Sequence, residues 1–316
     1  MYIVCLLDHI RRKMFNFAHQ KKTIAMERKT TMKLGSRLLI LFGLIGIGLI
    51  VGSVAGMMVL PLGMLGMITA QDIFAFITPA IVAMAFFYRK PLQAMCFNKA
   101  PGWLALIIVL AVYCISLPGM NWLVKINEEM SLPSWMSGIE QMMRATEDRA
   151  AEVTKQLLDI HTVGRLLAVT FVVGFMAGLS EEMLFRGAML RTMQDSHLNK
   201  HAVVWLVAFI FSAIHFQFYG FLPRLVLGAW LGYLLVWTRS LWVPIIAHTL
   251  NNSTVVVMSY LANKGIVTED FGDNLGIPAE GAFPWLAIAS IIITIAIAVW
   301  VHIHYTRKAS LPHPCD

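Results

Sequence analysis

Apolar residues in this chain fall in long runs separated by short polar stretches, and the runs have the length of membrane-crossing helices. A helix needs about 20 predominantly apolar residues to cross a hydrocarbon core of about 30 Å. Runs meeting or approaching that length cover 38–60, 73–88, 103–123, 163–180, 203–219, 222–237, 242–261 and 283–303. The fourth is expected to continue past residue 180. The second and sixth are short, so the pattern predicts eight spans and leaves seven open. The fold class is therefore an all-α, polytopic membrane helix bundle.

Composition supports this and removes other classes. The 316 residues are 58% hydrophobic and only 14% charged, with a mean hydropathy of +0.69, far too apolar for a soluble chain of this length. The net charge of +7 follows topology. Basic residues from Arg11 to Arg37 precede the first run, and Arg89, Lys90 and Lys99 lie between the second and third. Arg191 and Lys200 flank the turn after the fourth, Arg239 follows the sixth, and Arg307 and Lys308 close the chain. The intervening loops at 127–162 and 263–282 carry acids, among them Glu128, Glu147, Asp159, Glu269 and Asp273. The positive-inside rule then places both termini in the cytoplasm, which an even number of spans satisfies. No basic patch is interleaved with exposed aromatics, so nucleic acid is not an expected partner. The lipid bilayer is, in the cell membrane if the source is prokaryotic.

Four units follow. Residues 1–34 form a basic, disordered cytoplasmic extension, or an over-long start with Met26 or Met32 as the initiator. Residues 35–162 hold the first spans and an outer amphipathic segment at 137–160, whose Ile139, Met142, Met143, Val153 and Leu157 recur at helical spacing. Residues 163–262 hold the chemistry described below, and 263–316 an outer loop, the last span and a cytoplasmic tail. Gly48, Gly52 and Gly56, and Gly228 and Gly232, stand four apart and predict close helix approach in lipid. The four cysteines have neither metal-ligand nor redox spacing.

Three polar clusters interrupt the second half. They are Glu181, Glu182 and Arg186; Phe211 and His215; and His248 with Asn251 and Asn252. An ionisable group near the bilayer centre costs about 2.5–3.5 kcal/mol on insertion scales and usually faces a bundle interior. Residues four apart share a helix face, so Glu182 pairs with Arg186, Phe211 shields His215, and His248 stacks with Asn252. Glu181 points about 100° away from Glu182 and is free for another task. Residues equidistant from the turn at 195–200 lie at one depth, which lets Glu181 face His215. This set suits hydrolysis: Glu181 and His215 deprotonate a water, and His248 and Asn252 donate to the oxyanion of a tetrahedral intermediate. Glu182 and Arg186 support from behind. A zinc site on His215, His248 and Glu181 with water as fourth ligand is the alternative. Against it, no His-Glu-x-x-His helix is present and Asn252 is a weak zinc ligand, so no cofactor is required on the favoured reading. Taken singly, each cluster reads more simply as a snorkelling ion pair or a hydrogen-bonded packing histidine. The other eight histidines have no partner spacing.

Together the clusters resemble the signature of the CPBP intramembrane proteases, which include CAAX prenyl endopeptidases and bacteriocin-processing or self-immunity proteins. That pattern, Glu-Glu-x-x-x-Arg, then Phe-x-x-x-His, then His-x-x-x-Asn or Asp, is met at Glu181, Glu182, Arg186, Phe211, His215, His248 and Asn252. The resemblance covers about residues 163–260. It implies hydrolysis of a peptide bond in a membrane-associated substrate, with the first glutamate and first histidine activating water and the second histidine and asparagine holding the oxyanion. The family has been described both as zinc-dependent and as a glutamate-type protease. Two other classes stay open: a non-catalytic scaffold that binds a membrane partner through the same fold, and a transporter relaying protons through the buried carboxylates. The second lacks the paired Gly- or Pro-broken spans expected of transporter repeats.

Overall fold

The computed structural model describes residues 31–308 except 197, 269–271, 273, 280 and 281, and side chains up to residue 305. The expected N-terminal extension and C-terminal tail thus lie largely outside the described residues. The main helices are α1 (Leu34–Met58), α2 (Leu60–Phe87), α3 (Trp103–Glu128), α4 (Ser137–Leu157), α5 (Val163–Gln194), α6 (Lys200–Ala213), α7 (Phe221–Thr238), α8 (Trp242–Asn263) and α9 (Trp285–Lys308).

Six of these are long and apolar enough to cross a membrane: α1, α2, α3, α5, α9, and α7 together with the turn that leads into it. The protein is a multi-pass integral membrane protein. The sequence expectation of eight is met at six of the runs; the fifth and seventh fall outside this count, each for a physical reason. The fifth run ends early, because α6 stops at Ala213 after 14 residues, about 21 Å of helix. The seventh, α8, is long enough at 22 residues but carries His248, Thr249, Asn251, Asn252, Ser253 and Thr254 in its middle. The second run is longer than its apolar core suggested. Residues 60–71 join it, so that α2 passes without a break through Gln71 and Asp72. As expected, α5 continues past Ser180, to Gln194.

Packing follows the small residues. Gly48, Gly52 and Gly56 are buried where α1 lies on α2, and a Cβ at Gly48 would overlap the Phe74 carbonyl oxygen. Gly228 and Gly232 seat α7 on α6, where added Cβ atoms would meet Phe211 and Val204 at 3.1 and 3.0 Å. The largest apolar cluster draws Leu41 from α1, Met84 and Phe87 from α2, Phe185 and Met189 from α5, Val204 and Phe211 from α6, and Ile245 from α8. Leu39, Ile50 and Met57 on α1 and Ile292, Ile295 and Val299 on α9 are exposed, as faces turned to lipid would be. Helix α4 keeps Ile139, Met142 and Val153 exposed and buries only Leu157. It is tied to the bundle by polar contacts, with Glu147 accepting from the Tyr219 amide at 3.3 Å and the Arg144 guanidinium 4.6 Å over the Tyr219 ring.

At one end of the bundle a buried clasp joins α1, the residue after α2, and the C-terminus of α5. Arg37 pairs with Asp195 at 3.1 Å and donates to the Thr192 carbonyl at 2.6 Å. Tyr88 donates to the same carboxylate at 2.5 Å, and Arg191 pairs with it from within α5.

Candidate active site

The second half of α5 sits in the centre of the apolar cluster, and every residue from Met183 to Leu190 is buried. This stretch is π-helical, with i→i+5 hydrogen bonding. Such turns admit an extra residue and recur at functional sites. Immediately before it, Glu181 and Glu182 diverge as the helical period predicts. The Glu182 side chain is fully buried, whereas that of Glu181 is 18% exposed.

Glu182 is the hub. Its Oε1 accepts from Arg186 Nη1 at 2.7 Å and from His248 Nδ1 at 2.9 Å. Arg186 is wholly buried. It donates through Nη2 to the Gly228 carbonyl at 2.7 Å and lies 4.7 Å over the Phe211 ring. A buried guanidinium without a counter-charge would cost several kcal/mol. Glu182 and the Phe211 face supply that compensation, so α5, α6, α7 and α8 meet at one charge pair.

His248 is thereby oriented. With Nδ1 on Glu182, its Nε2 points to Glu181, 3.8 Å from Oε2. That gap is longer than a direct hydrogen bond and short enough for one water to touch both groups at ordinary length. His215 lies just beyond the last turn of α6 and is half-buried. Its Nδ1 is 2.8 Å from the Phe211 carbonyl oxygen. A carbonyl only accepts, so Nδ1 carries the proton and Nε2 of the neutral ring presents a lone pair. Phe211 touches both imidazoles edge to face, at 5.2 Å from His215 and 6.1 Å from His248, and so acts as their common wall. Among the described residues His215 makes no ion pair with Glu181; the imidazole brought to Glu181 is His248. Asn252 donates to the Val173 carbonyl at 3.1 Å and accepts from Asn251 at 3.2 Å. One amide hydrogen of Asn252 remains for a ligand.

Among the described residues no three His, Cys, Asp or Glu side chains converge closely enough to hold a metal ion, and no chemical step below is routed through one.

One carboxylate beside the site escaped the sequence reading. Asp72 is buried in α2 and accepts from the Ser180 hydroxyl at 2.8 Å, which anchors the residue preceding Glu181. Its backbone turn, Asp72–Ile77, is also π-helical. The signal was present in the sequence: runs 60–71 and 73–88 add up to one span with a single acid at its middle.

Residues 163–254 match the family model described as type II CAAX prenyl endopeptidase, Rce1-like. This segment of the chain is similar to that family, and all seven motif residues from Glu181 to Asn252 fall within it. Neither a curated protein nor a solved structure gives a match.

Proposed function

We propose that this protein is an intramembrane endopeptidase that hydrolyses a peptide bond of a membrane-associated substrate, a CAAX-like tail or a precursor peptide. The observation that carries the reading is the junction of Glu181, Glu182, Arg186 and His248, in which one buried ion pair fixes an imidazole against a second, partly accessible carboxylate. A structural ion pair needs only Glu182 and Arg186. The additional glutamate and two histidines sharing the Phe211 wall are what hydrolysis needs. We further propose eight spans with both termini cytoplasmic, which the distribution of lysine and arginine supports.

Chemistry follows from the donors and acceptors. Water held by Glu181 and the Nε2 lone pair of His215 attacks the scissile carbonyl, and Glu181 takes its proton. His248 donates Nε2–H to the developing oxyanion as an imidazolium, since only that form donates from both ring nitrogens, and Glu182 and Glu181 on either side are its counter-charges. Asn252 offers its remaining amide hydrogen to the same oxygen. Collapse of the intermediate breaks the C–N bond, and Glu181 returns the proton to the leaving amine. The apolar walls keep bulk water away from these steps.

The 3.8 Å approach of His248 to Glu181 favours a second arrangement, in which these two groups hold the water and His215 serves the oxyanion. Variants separate the readings. Glu181→Ala and His215→Ala are expected to abolish cleavage in purified, detergent-solubilised protein while leaving its thermal unfolding near that of the parent; unimpaired cleavage by either would falsify the assignment. Cleavage abolished in His248→Ala but only reduced in His215→Ala would select the second arrangement. A non-catalytic scaffold would tolerate Glu181→Gln, which keeps the shape of the side chain.

A further inference from the structure

Glu182 and Asp195 are buried carboxylates with counter-charges, Arg186 for the first and Arg37 and Arg191 for the second. Asp72 is buried as well, at 5% exposure on α2, and among the described residues no cation acts on it. An ionised carboxylate has about four acceptor positions to fill. Asp72 meets one donor: Oδ1 lies 2.8 Å from Ser180 Oγ, whereas Oδ2 is buried without a hydrogen-bond partner among the described residues. The helices packed on the turn Asp72–Ile77 do not supply the missing charge. Helix α1 brings Gly48 and Gly52 against it. Helix α5 brings Ser180 and a second acid, Glu181, whose charge reaches Asp72, while Arg186 on the next turn is committed to Glu182.

The hydroxyl between them makes the protonation state a matter of counting. Ser180 Oγ carries one proton and has two oxygens in reach, Asp72 Oδ1 at 2.8 Å and the Ala177 carbonyl at 3.1 Å. Drawn with an ionised Asp72, the hydroxyl donates to the carboxylate and the Ala177 contact has no hydrogen. A carbonyl only accepts, so both contacts are hydrogen bonds at once when Asp72 supplies the second proton: Asp72 Oδ1–H donates to Ser180 Oγ, and Ser180 Oγ–H donates to Ala177. The bare Oδ2 is then the carbonyl oxygen of a neutral acid, which costs far less to bury unpartnered than a charge does. Charge at the junction closes on the same assumption. Glu181, Glu182, Arg186 and the His248 imidazolium sum to zero, and an ionised Asp72 would leave an unmatched negative charge among them.

We infer that Asp72 is a positioning residue that works as the neutral acid, fixing through Ser180 the turn of α5 that presents Glu181 and adding no negative charge beside it. This deepens the endopeptidase reading and rests on it for the role of Glu181 as base. A second anion at that place would repel the carboxylate that has to stay ionised. An apolar side chain would remove the repulsion but leave Ser180 without its donor. A protonated carboxyl avoids both. The bond from Asp72 to Ser180 spans 108 positions, so a residue outside the segment 163–254 that carries the motif sets the aim of its first member.

The test reads the proton and its consequence separately, on full-length protein in detergent. The infrared spectrum of the wild type minus that of Asp72→Asn, at neutral pH, should contain a carboxylic-acid C=O band that shifts in deuterium oxide. Cleavage is followed with a dye-labelled, S-prenylated heptapeptide. Asp72→Asn keeps the shape of the neutral acid and can donate to Ser180 through its amide, so kcat should stay within about threefold of the wild type. Asp72→Ala and Ser180→Ala break the chain of bonds and should lower kcat by about tenfold to a hundredfold, the range for one buried hydrogen bond, with KM little changed. Thermal unfolding identifies the variants that fold; if Asp72→Ala does not, the infrared band and the Asp72→Asn rate decide the matter. A difference spectrum without the carboxylic-acid band overturns the inference, and so does a kcat that falls as far in Asp72→Asn as in Asp72→Ala, or in neither. The band present in a wild type that cleaves no peptide would retain the neutral acid and refute the protease.

Discussion

Removing one charge of the Glu182–Arg186 pair should cost the protein more than removing both. The two side chains are fully buried and 2.7 Å apart. At an effective dielectric of about 20 their attraction is about 6 kcal/mol, and breaking a buried pair from one side typically costs about 3–5 kcal/mol because the remaining charge stays buried. Glu182→Gln preserves shape but leaves the Arg186 cation facing an amide, the Phe211 ring and the Gly228 carbonyl. At roughly 2–4 °C per kcal/mol for domains of 150–250 residues, the expected loss is about 6–20 °C in Tm. Arg186→Leu should cost a similar amount, with loss of the contact over Phe211 included. The double variant removes both charges and should lose markedly less than the sum of the two. The assay is thermal unfolding of the four proteins in one detergent, followed by tryptophan fluorescence. A loss below about 2 °C for Glu182→Gln, or strict additivity in the double variant, would refute the claim that this pair fixes His248.

Three further outcomes are expected. Gly48→Ala should destabilise the protein by about 1–3 kcal/mol, as overpacking does, because its methyl meets the Phe74 carbonyl. Gly43→Ala on the same helix, where nothing lies within 4 Å of an added Cβ, should be neutral or stabilising by up to about 1 kcal/mol; comparing their melting temperatures checks both. Outside the membrane, Arg144 holds the Glu140 carboxyl below its ordinary value of 4.5, helped by the Leu132 amide. A depressed carboxylate contributes fully above its ordinary value and less as pH falls through the folded one, so protection of the Leu132 amide from hydrogen exchange should fall below pH 4.5 and become pH-independent in Glu140→Gln. Dialysis against a chelator should leave cleavage unchanged on the metal-independent reading, whereas activity lost with chelation and restored by stoichiometric zinc would reverse it.

Much of the bundle was legible in hydrophobic spacing, because long apolar runs leave the backbone few options besides helix in lipid. The pairing of Glu182 with Arg186 and the shielding of His215 by Phe211 were legible for the same reason, since both are local and depend on residues four apart. Three features were not. Asp72 falls just outside the apolar run at 73–88, and its burial against Ser180 shows only once α2 is seen to run through it. The bond from His248 to Glu182 spans 66 positions and depends on how α8 rotates against α5, which no periodicity within either helix specifies. The short reach of α6 was hidden as well, because Ile214, Phe216 and Phe218 carry the apolar run past Ala213.

The clasp on Asp195 also has a history in time. Arg37 must wait for a counter-charge 158 positions downstream. At a synthesis rate of about 5–20 residues per second, that interval lasts roughly 8–32 s. During it the guanidinium is free to hold the first helix in its orientation at the membrane surface; afterwards Asp195, Tyr88 and the Thr192 carbonyl take it up. A topological signal and a structural bolt are therefore the same side chain at successive moments of biogenesis, and the docking of α1 cannot be completed until α5 has been made.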